Sequence, residues 1–179
     1  VSMDYKNVEY KVTIKNGTVG AADGTFNAYR AQAGTASNCN FVYDIQGGTI
    51  KAAPFFGMNT TTSMNSMAIE GKMEIDISGG TFTNNNYFGS YLNYDFKTSP
   101  DKSHQAMDRL VRDIDITGGQ FNGSVYFGSL IKAPNNSKHE GATDIKITNG
   151  TFKKGIHGGS LFAGSDGQHI GDVTITLQG

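Results

Sequence analysis

The chain has 179 residues, a formal net charge of −1, a single cysteine and no tryptophan. Near-neutral charge excludes an electrostatic case for nucleic acid or an anionic membrane, and no apolar run reaches the roughly 18 residues a membrane helix needs. Cys39 cannot form an internal disulfide and stands in no metal-ligand spacing, while 24 glycines against 3 prolines suit many short strands joined by tight turns.

The elements recur in chain order. Alternating stretches run Tyr10-Lys11-Val12-Thr13-Ile14, Val42-Tyr43-Asp44-Ile45, Glu74-Ile75-Asp76-Ile77, Asp113-Ile114-Asp115-Ile116 and Asp144-Ile145-Lys146-Ile147. Period-2 alternation predicts strands with one buried face, the isoleucines inward and the charged residues outward. Each stretch runs into one phrase: IKNGTV at Ile14–Val19, IQGGTI at Ile45–Ile50, ISGGTF at Ile77–Phe82, ITGGQF at Ile116–Phe121 and ITNGTF at Ile147–Phe152. The Gly-Gly or Asn-Gly pair predicts a turn, and Val19, Ile50, Phe82, Phe121 and Phe152 predict a second inward column. Nine residues after the reference glycine comes another, at Gly57, Gly89, Gly128 and Gly159, preceded by Phe55-Phe56, Tyr87-Phe88, Tyr126-Phe127 and His157-Gly158.

The reference glycine recurs at spacings of 31, 32, 39 and 31 residues, and a further copy begins in ITLQG. Such a period marks a stacked repeat architecture. The predicted fold is an all-β, right-handed parallel β-helix (β-solenoid) of about five coils with a repeat near 31 residues, forming one domain over residues 1–179. The right hand follows the general preference of parallel β crossovers. At about 4.8 Å per rung, five coils make a rod about 24 Å tall. A chain that opens and closes inside a repeat is expected to be a piece of a longer repetitive polypeptide.

The GGTF or GGQF turn after an alternating DIxI strand, followed by a YFGS or GGS element, resembles the right-handed β-helix of bacterial surface proteins. Adhesin and autotransporter-passenger regions and pectate-lyase-like helices share this style. The resemblance implies an extracellular or cell-surface location and a role as adhesin, stalk or filament element. It reports how a coil turns, so it carries no catalytic residue over to this chain.

Three groups of residues break the repeat and are the candidate sites. Asp44, Asp76 and Asp115 stack in one outward column, beside Glu74 and Asp113. Stacked carboxylates invite a hard cation, and Ca²⁺ is the cofactor they suggest. A polysaccharide lyase or glycoside hydrolase using these carboxylates is the alternative to a non-enzymatic role; otherwise they are a solvated face. The third unit carries seven or eight surplus residues, with Tyr91, Tyr94, Phe96, His104 and Arg109 in its enlarged loop, which suits a glycan or other cell-surface ligand. Ser103–Val111 is read there as a short helix with Met107, Leu110 and Val111 on its apolar side, and Met58–Met67 as a mobile polar loop. Phe55, Tyr87, Tyr126 and His157 form an aromatic column, of which Tyr87 and Tyr126 are expected to face outward and contact a glycan. The four histidines are read as sharing no spacing. Partners of a second kind follow from open strand edges: further repeats, or end-to-end self-association.

Overall fold

The computed structural model describes residues 5–31, 34–61, 66–93, 105–132, 137–163 and 167–178. Among them every regular element is a strand, and every strand pairs with its neighbours in parallel. The chain winds into a β-solenoid of about four turns. The repeat suggested about five coils, slightly more than the turns found.

Three sheets form the walls. The long sheet carries Glu9–Ile14, Gly34–Ile45, Met67–Ile77, Ala106–Ile116, Thr143–Ile147 and Val173–Leu177. Its register stacks Ile14, Ile45, Ile77, Ile116, Ile147 and Leu177 in one column, and Val12, Tyr43, Ile75, Ile114, Ile145 and Ile175 in the next. These are the inward positions of the alternating stretches, and β-branched side chains suit a pleated wall with one dry face. Polar residues between them stay in water.

The glycine pair then turns the chain. Gly48, Gly80 and Gly119 sit at φ of 84°, 96° and 95°, a region that L side chains rarely adopt. The glycine before each is needed for a different reason: a Cβ on Gly79 would lie 2.4 Å from the Gln46 carbonyl oxygen of the turn below. After the turn, Thr18–Val19, Thr49–Ile50, Thr81–Phe82, Gln120–Phe121 and Thr151–Phe152 make the second sheet. Its rings stack into the lumen, with Phe82 to Phe121 at 4.6 Å and Phe121 to Phe152 at 4.7 Å.

The third sheet holds Thr25–Ala31, Ala53–Thr61, Asn86–Tyr87 with Tyr91–Asn93, Val125–Tyr126 with Leu130–Ile131, and Ile156–His157 with Leu161–Phe162. Phe56, Phe88 and Phe127 point into the core and are fully buried. Each such side chain contributes about 1.5–3 kcal/mol by leaving water, so the three phenylalanine and isoleucine columns dominate the stability of the rod.

Two local expectations are corrected. Of the stretch read as a helix, Ser103 and His104 lie outside the described residues, and the rest is not helical: Ala106–Ile116 is one continuous strand whose inward residues are Ala106, Asp108, Leu110, Arg112, Ile114 and Ile116. The strand period is hidden in the sequence because two inward positions are charged. The two ends of the Met58–Met67 stretch are not loop: Met58 lies in Ala53–Thr61, Met67 opens Met67–Ile77, and both are buried in the core, while residues 62–65 lie outside the described residues. The surplus of the third unit is confined between Asn93, which pairs with Thr61, and Ala106, which pairs with Met67.

Candidate functional site

The aromatic column lies outside the main core, as expected. Phe55 stacks on Tyr87 at 4.8 Å, Tyr87 on Tyr126 at 5.1 Å and Tyr126 on His157 at 4.5 Å, with planes within 10° of parallel. Tyr91 stacks on Phe55 from the adjacent column at 5.0 Å. This geometry changes what the ladder can do. Sugars pack on ring faces, and rings stacked this closely spend their faces on each other, leaving edges and hydroxyls outward. Phe55 and Tyr87 are only 3% and 6% exposed, whereas Tyr126 is half-buried and His157 exposed. Burial, partly offset by a hydrogen bond with Asn85, raises the Tyr87 pKa.

Beside this column runs an open cleft of about 350 Å³ bordered by Asp23, Asn84, Asn85, Phe55, Tyr91 and Lys132. Lys132 Nζ stands 5.4 Å from the centre of the Tyr91 ring, a cation–π distance. Amides, one acid and one cation around aromatic edges make a surface able to hydrogen-bond a polyol. Tyr94, Phe96 and His104 lie outside the described residues. Arg109 is not with the tyrosines: it sits on the outer face of the long sheet, bridging Glu70 at 2.7 Å and Glu140 at 2.6 Å. Hydrogen bonds to Glu140 and Glu70 raise its pKa further, so it is a strut between rungs.

The acidic columns form as the alternation required. Asp44, Asp76 and Asp115 are in register and continue into Lys146, and Glu74, Asp113 and Asp144 are in register beside them. Burial first, then Asp115, Asp44, Glu74 and Asp113, raise the Asp76 pKa from its ordinary value. Gln46 Nε2 donates to Asp44 at 2.8 Å and relieves one end. Among the described residues, no three His, Cys, Asp or Glu side chains converge as metal ligands would.

The densest chemistry lies inside the wall, at the corner between the third sheet and the long sheet. Ser90, Ser129 and Ser160 form a ladder there. Each hydroxyl accepts a backbone N–H from the turn before it: Met58 N–H to Ser90 at 2.8 Å, Ser90 N–H to Ser129 at 2.9 Å, and Ser129 N–H to Ser160 at 2.9 Å. With its oxygen so used, each serine offers its own hydrogen to a partner on the long sheet. The partners are Asp108 for Ser90 at 2.6 Å, His139 Nδ1 for Ser129 at 2.8 Å, and His169 Nδ1 for Ser160 at 2.8 Å. Asp108, His139 and His169 are in register.

Asp108 is fully buried and so is Arg112, whose Nη2 pairs with Asp108 Oδ2 at 2.5 Å. Arg112 also donates to the carbonyls of Phe88 at 2.7 Å and Leu110 at 2.8 Å, and Asp108 Oδ1 accepts the Leu110 N–H at 3.2 Å. Burial acts against the Asp108 carboxylate, but Arg112, His139 and the hydrogen bonds outweigh it and lower its pKa to about 2. His139 is also fully buried; burial, reinforced by Arg112 and His169 and opposed by Asp108, lowers its pKa to about 3. Gly57 completes the packing, since a Cβ there would lie 2.3 Å from Ser90 Oγ and 3.1 Å from Asp108 Oδ2.

A serine, a histidine and an aspartate within hydrogen-bond reach suggest nucleophilic catalysis, but the roles do not match it. Ser129 meets the same ring nitrogen, Nδ1, that faces Asp108 Oδ2 at 3.7 Å, and Ser129, His139 and Asp108 are all sealed from solvent. The cluster holds the corner together. The sequence carried a signal for it that was read as none: Gly-Ser recurs at Gly89-Ser90, Gly128-Ser129 and Gly159-Ser160, and His-x-Gly recurs at His139 to Gly141 and His169 to Gly171. Comparison with protein-family models, curated proteins and solved structures finds no match. What defines the chain is therefore its architecture, an all-β parallel solenoid with a polar seam inside one corner.

Proposed function

We propose that this chain is a non-enzymatic β-solenoid segment of an extracellular or cell-surface protein, serving as a stalk, adhesin or filament element that meets glycans through its outer walls. The observation that carries this reading is the disposition of reactive groups. Asp108, Arg112, His139 and Ser129 are buried and committed to holding the wall. The outer faces carry in-register columns and a shallow polar–aromatic cleft, features of a surface that binds along its length. The bacterial β-helix style of the repeat supports the same reading. Val173–Leu177 leaves Ile175 and Leu177 exposed, which fits continuation into further coils or end-to-end association.

The test is a glycan array followed by titration of any hit. Binding that falls at least tenfold in Tyr91→Ala and Lys132→Ala supports the reading, and a chain that binds no glycan removes its adhesin part. An alternative is favoured by one observation: Asp76 stands in register between Asp44 and Asp115, whose charges help raise its pKa, and paired carboxylates are what glycoside hydrolysis uses. Cleavage of any member of a polysaccharide panel, abolished in Asp76→Asn with Asp115→Asn, would replace the binding role with an enzymatic one.

A further inference from the structure

The seam is built in two ways over three successive turns. Asp108 with Arg112 closes the first polar corner, and His139 and His169 close the next two. The histidine corners depend on a neutral ring. Ser129 Oγ accepts the Ser90 N–H and has two acceptors for its own hydrogen, His139 Nδ1 at 2.8 Å and Asp108 Oδ2 at 3.3 Å, while Ser160 Oγ faces His169 Nδ1 at 2.8 Å. The neutral ring of His169 carries its proton on Nε2. That nitrogen donates to the Gly171 carbonyl at 2.9 Å, the residue at which the wall bends. His139 Nε2 faces the equivalent Gly141 carbonyl, yet without a hydrogen bond of good geometry.

A second proton on His169 would land on Nδ1 and set an N–H against the Ser160 O–H, and one on His139 Nδ1 would turn the Ser129 hydrogen onto Asp108 Oδ2. The charged surroundings of His139 do not welcome it. Asp108 Oδ2 is the nearest anion, at 3.7 Å, but it already serves Ser90 and Arg112. Arg112 stands on the same neighbouring strand as Asp108, and His169 stacks on His139 at 4.6 Å from the other side, so two charged rings would repel at contact. Lys138 and Glu140, on the strand of His139 itself, turn outward to each other and to Arg109. His169 meets the same Arg112 and Asp108 charges across His139.

We propose that the Ser129–His139 and Ser160–His169 corners form an acid-sensitive latch, which loosens the turns they close under mildly acidic conditions while the Asp108–Arg112 corner keeps the preceding turn shut. The sign is fixed by linkage. A histidine whose folded pKa lies below its ordinary 6.5 takes its proton more readily when released, so its corner is fully stable above that pH and weakens as pH falls from about 6.5 toward about 3. Asp108, lowered to about 2 from 3.8, keeps its contribution at pH 5 and loses it as pH falls from about 3.8 toward about 2. The latch is a property of the fold and stands whether or not the outer walls bind glycans.

Amide hydrogen exchange of the chain at pH 7.5 and pH 5.0, corrected for intrinsic rates, tests it. Opening within residues 156–178 is expected to rise in acid by about tenfold or more relative to residues 66–93, since one pKa unit of linkage is a tenfold change. Replacing both rings by an amide that still accepts and donates, His139→Asn with His169→Asn, is expected to abolish the difference. Equal exchange changes in the two regions, or an unchanged acid response in the double variant, would overturn the proposal. Should that variant not fold, the imidazole resonances of the unsubstituted chain decide. His139 remaining neutral until the 156–178 region opens supports the latch, and a titration near pH 6.5 in the closed state sinks it.

Discussion

The same corner of the solenoid is filled in two contrasting ways. In one turn Met58 and Ile69 occupy it with apolar side chains, both buried in the core. In the next turn the register places Ser90 and Asp108 at the corner, joined by Arg112. The wall holds its course through both, so the backbone ladder and the apolar columns set the fold, and the corner accepts either filling. An apolar corner has nothing to satisfy. A charged one is costly to interrupt, because a carboxylate taken from water is stable there only while every partner stays in place.

That contrast predicts its largest effect at Arg112. Arg112→Leu would leave Asp108 buried without its cation, and the unfolding free energy in urea is expected to fall by about 3–5 kcal/mol. An effect below about 1 kcal/mol would show that the corner rearranges or admits water. Next in size is Ser129→Ala, which deprives the Ser90 N–H and His139 Nδ1 of a partner; a loss of about 1–3 kcal/mol is expected by the same measurement.

The seam also marks where the sequence stopped being legible. The columns Ile45, Ile77, Ile116 and Phe82, Phe121 were readable because their environment repeats at every turn, and burial of an apolar side chain follows directly from its type. Arg112 and Asp108 were not. A charged residue in an alternating strand is normally outward, and only partners from Ser90, Phe88 and Leu110, distant or ambiguous in sequence, make the inward placement affordable. Met107, Leu110 and Val111 then mimicked a helical stripe. The outward tyrosines were readable as a column, but their mutual stacking, which spends the ring faces, depends on rung spacing and rotamer together. Tyr87 and Tyr126 were thus legible as a column, though Tyr87 is buried rather than outward, and the grouping of Lys132, Asn84 and Asn85 beside Tyr91 required the cleft.

If satisfaction of polar atoms is what a corner needs, one polar solution should replace another. Asp108 with Arg112 accepts a serine hydrogen and donates to a carbonyl at the bend, and a neutral histidine does both alone. In the following turn, His139 and Thr143 stand at the positions of Asp108 and Arg112. The double substitution Asp108→His with Arg112→Thr is therefore expected to cost no more than about 1.5 kcal/mol, although Arg112→Thr alone should approach the loss in Arg112→Leu. Such strong coupling is the signature of two residues acting as one unit. Additive losses would mean that the ion pair has a role the histidine cannot fill.

The smallest effect is expected at Arg109, which sharpens the comparison because the chemistry is the same and only the burial differs. Arg109 holds Glu70 at 2.7 Å and Glu140 at 2.6 Å, closer to ideal than many buried pairs, yet 40% of its side chain is exposed. Water and salt screen both contacts, and release of the long side chains offsets part of what is lost. Arg109→Ala should therefore cost under about 1 kcal/mol, and the loss should shrink further in half-molar salt, which weakens solvent-exposed ion pairs. The Arg112→Leu loss should hardly change with salt, since no ions reach its partner. Two arginines three residues apart on one strand, one facing water and one facing the lumen, would thus differ several-fold in stability effect. A salt-independent loss at Arg109 as large as that at Arg112 would refute burial as the deciding variable.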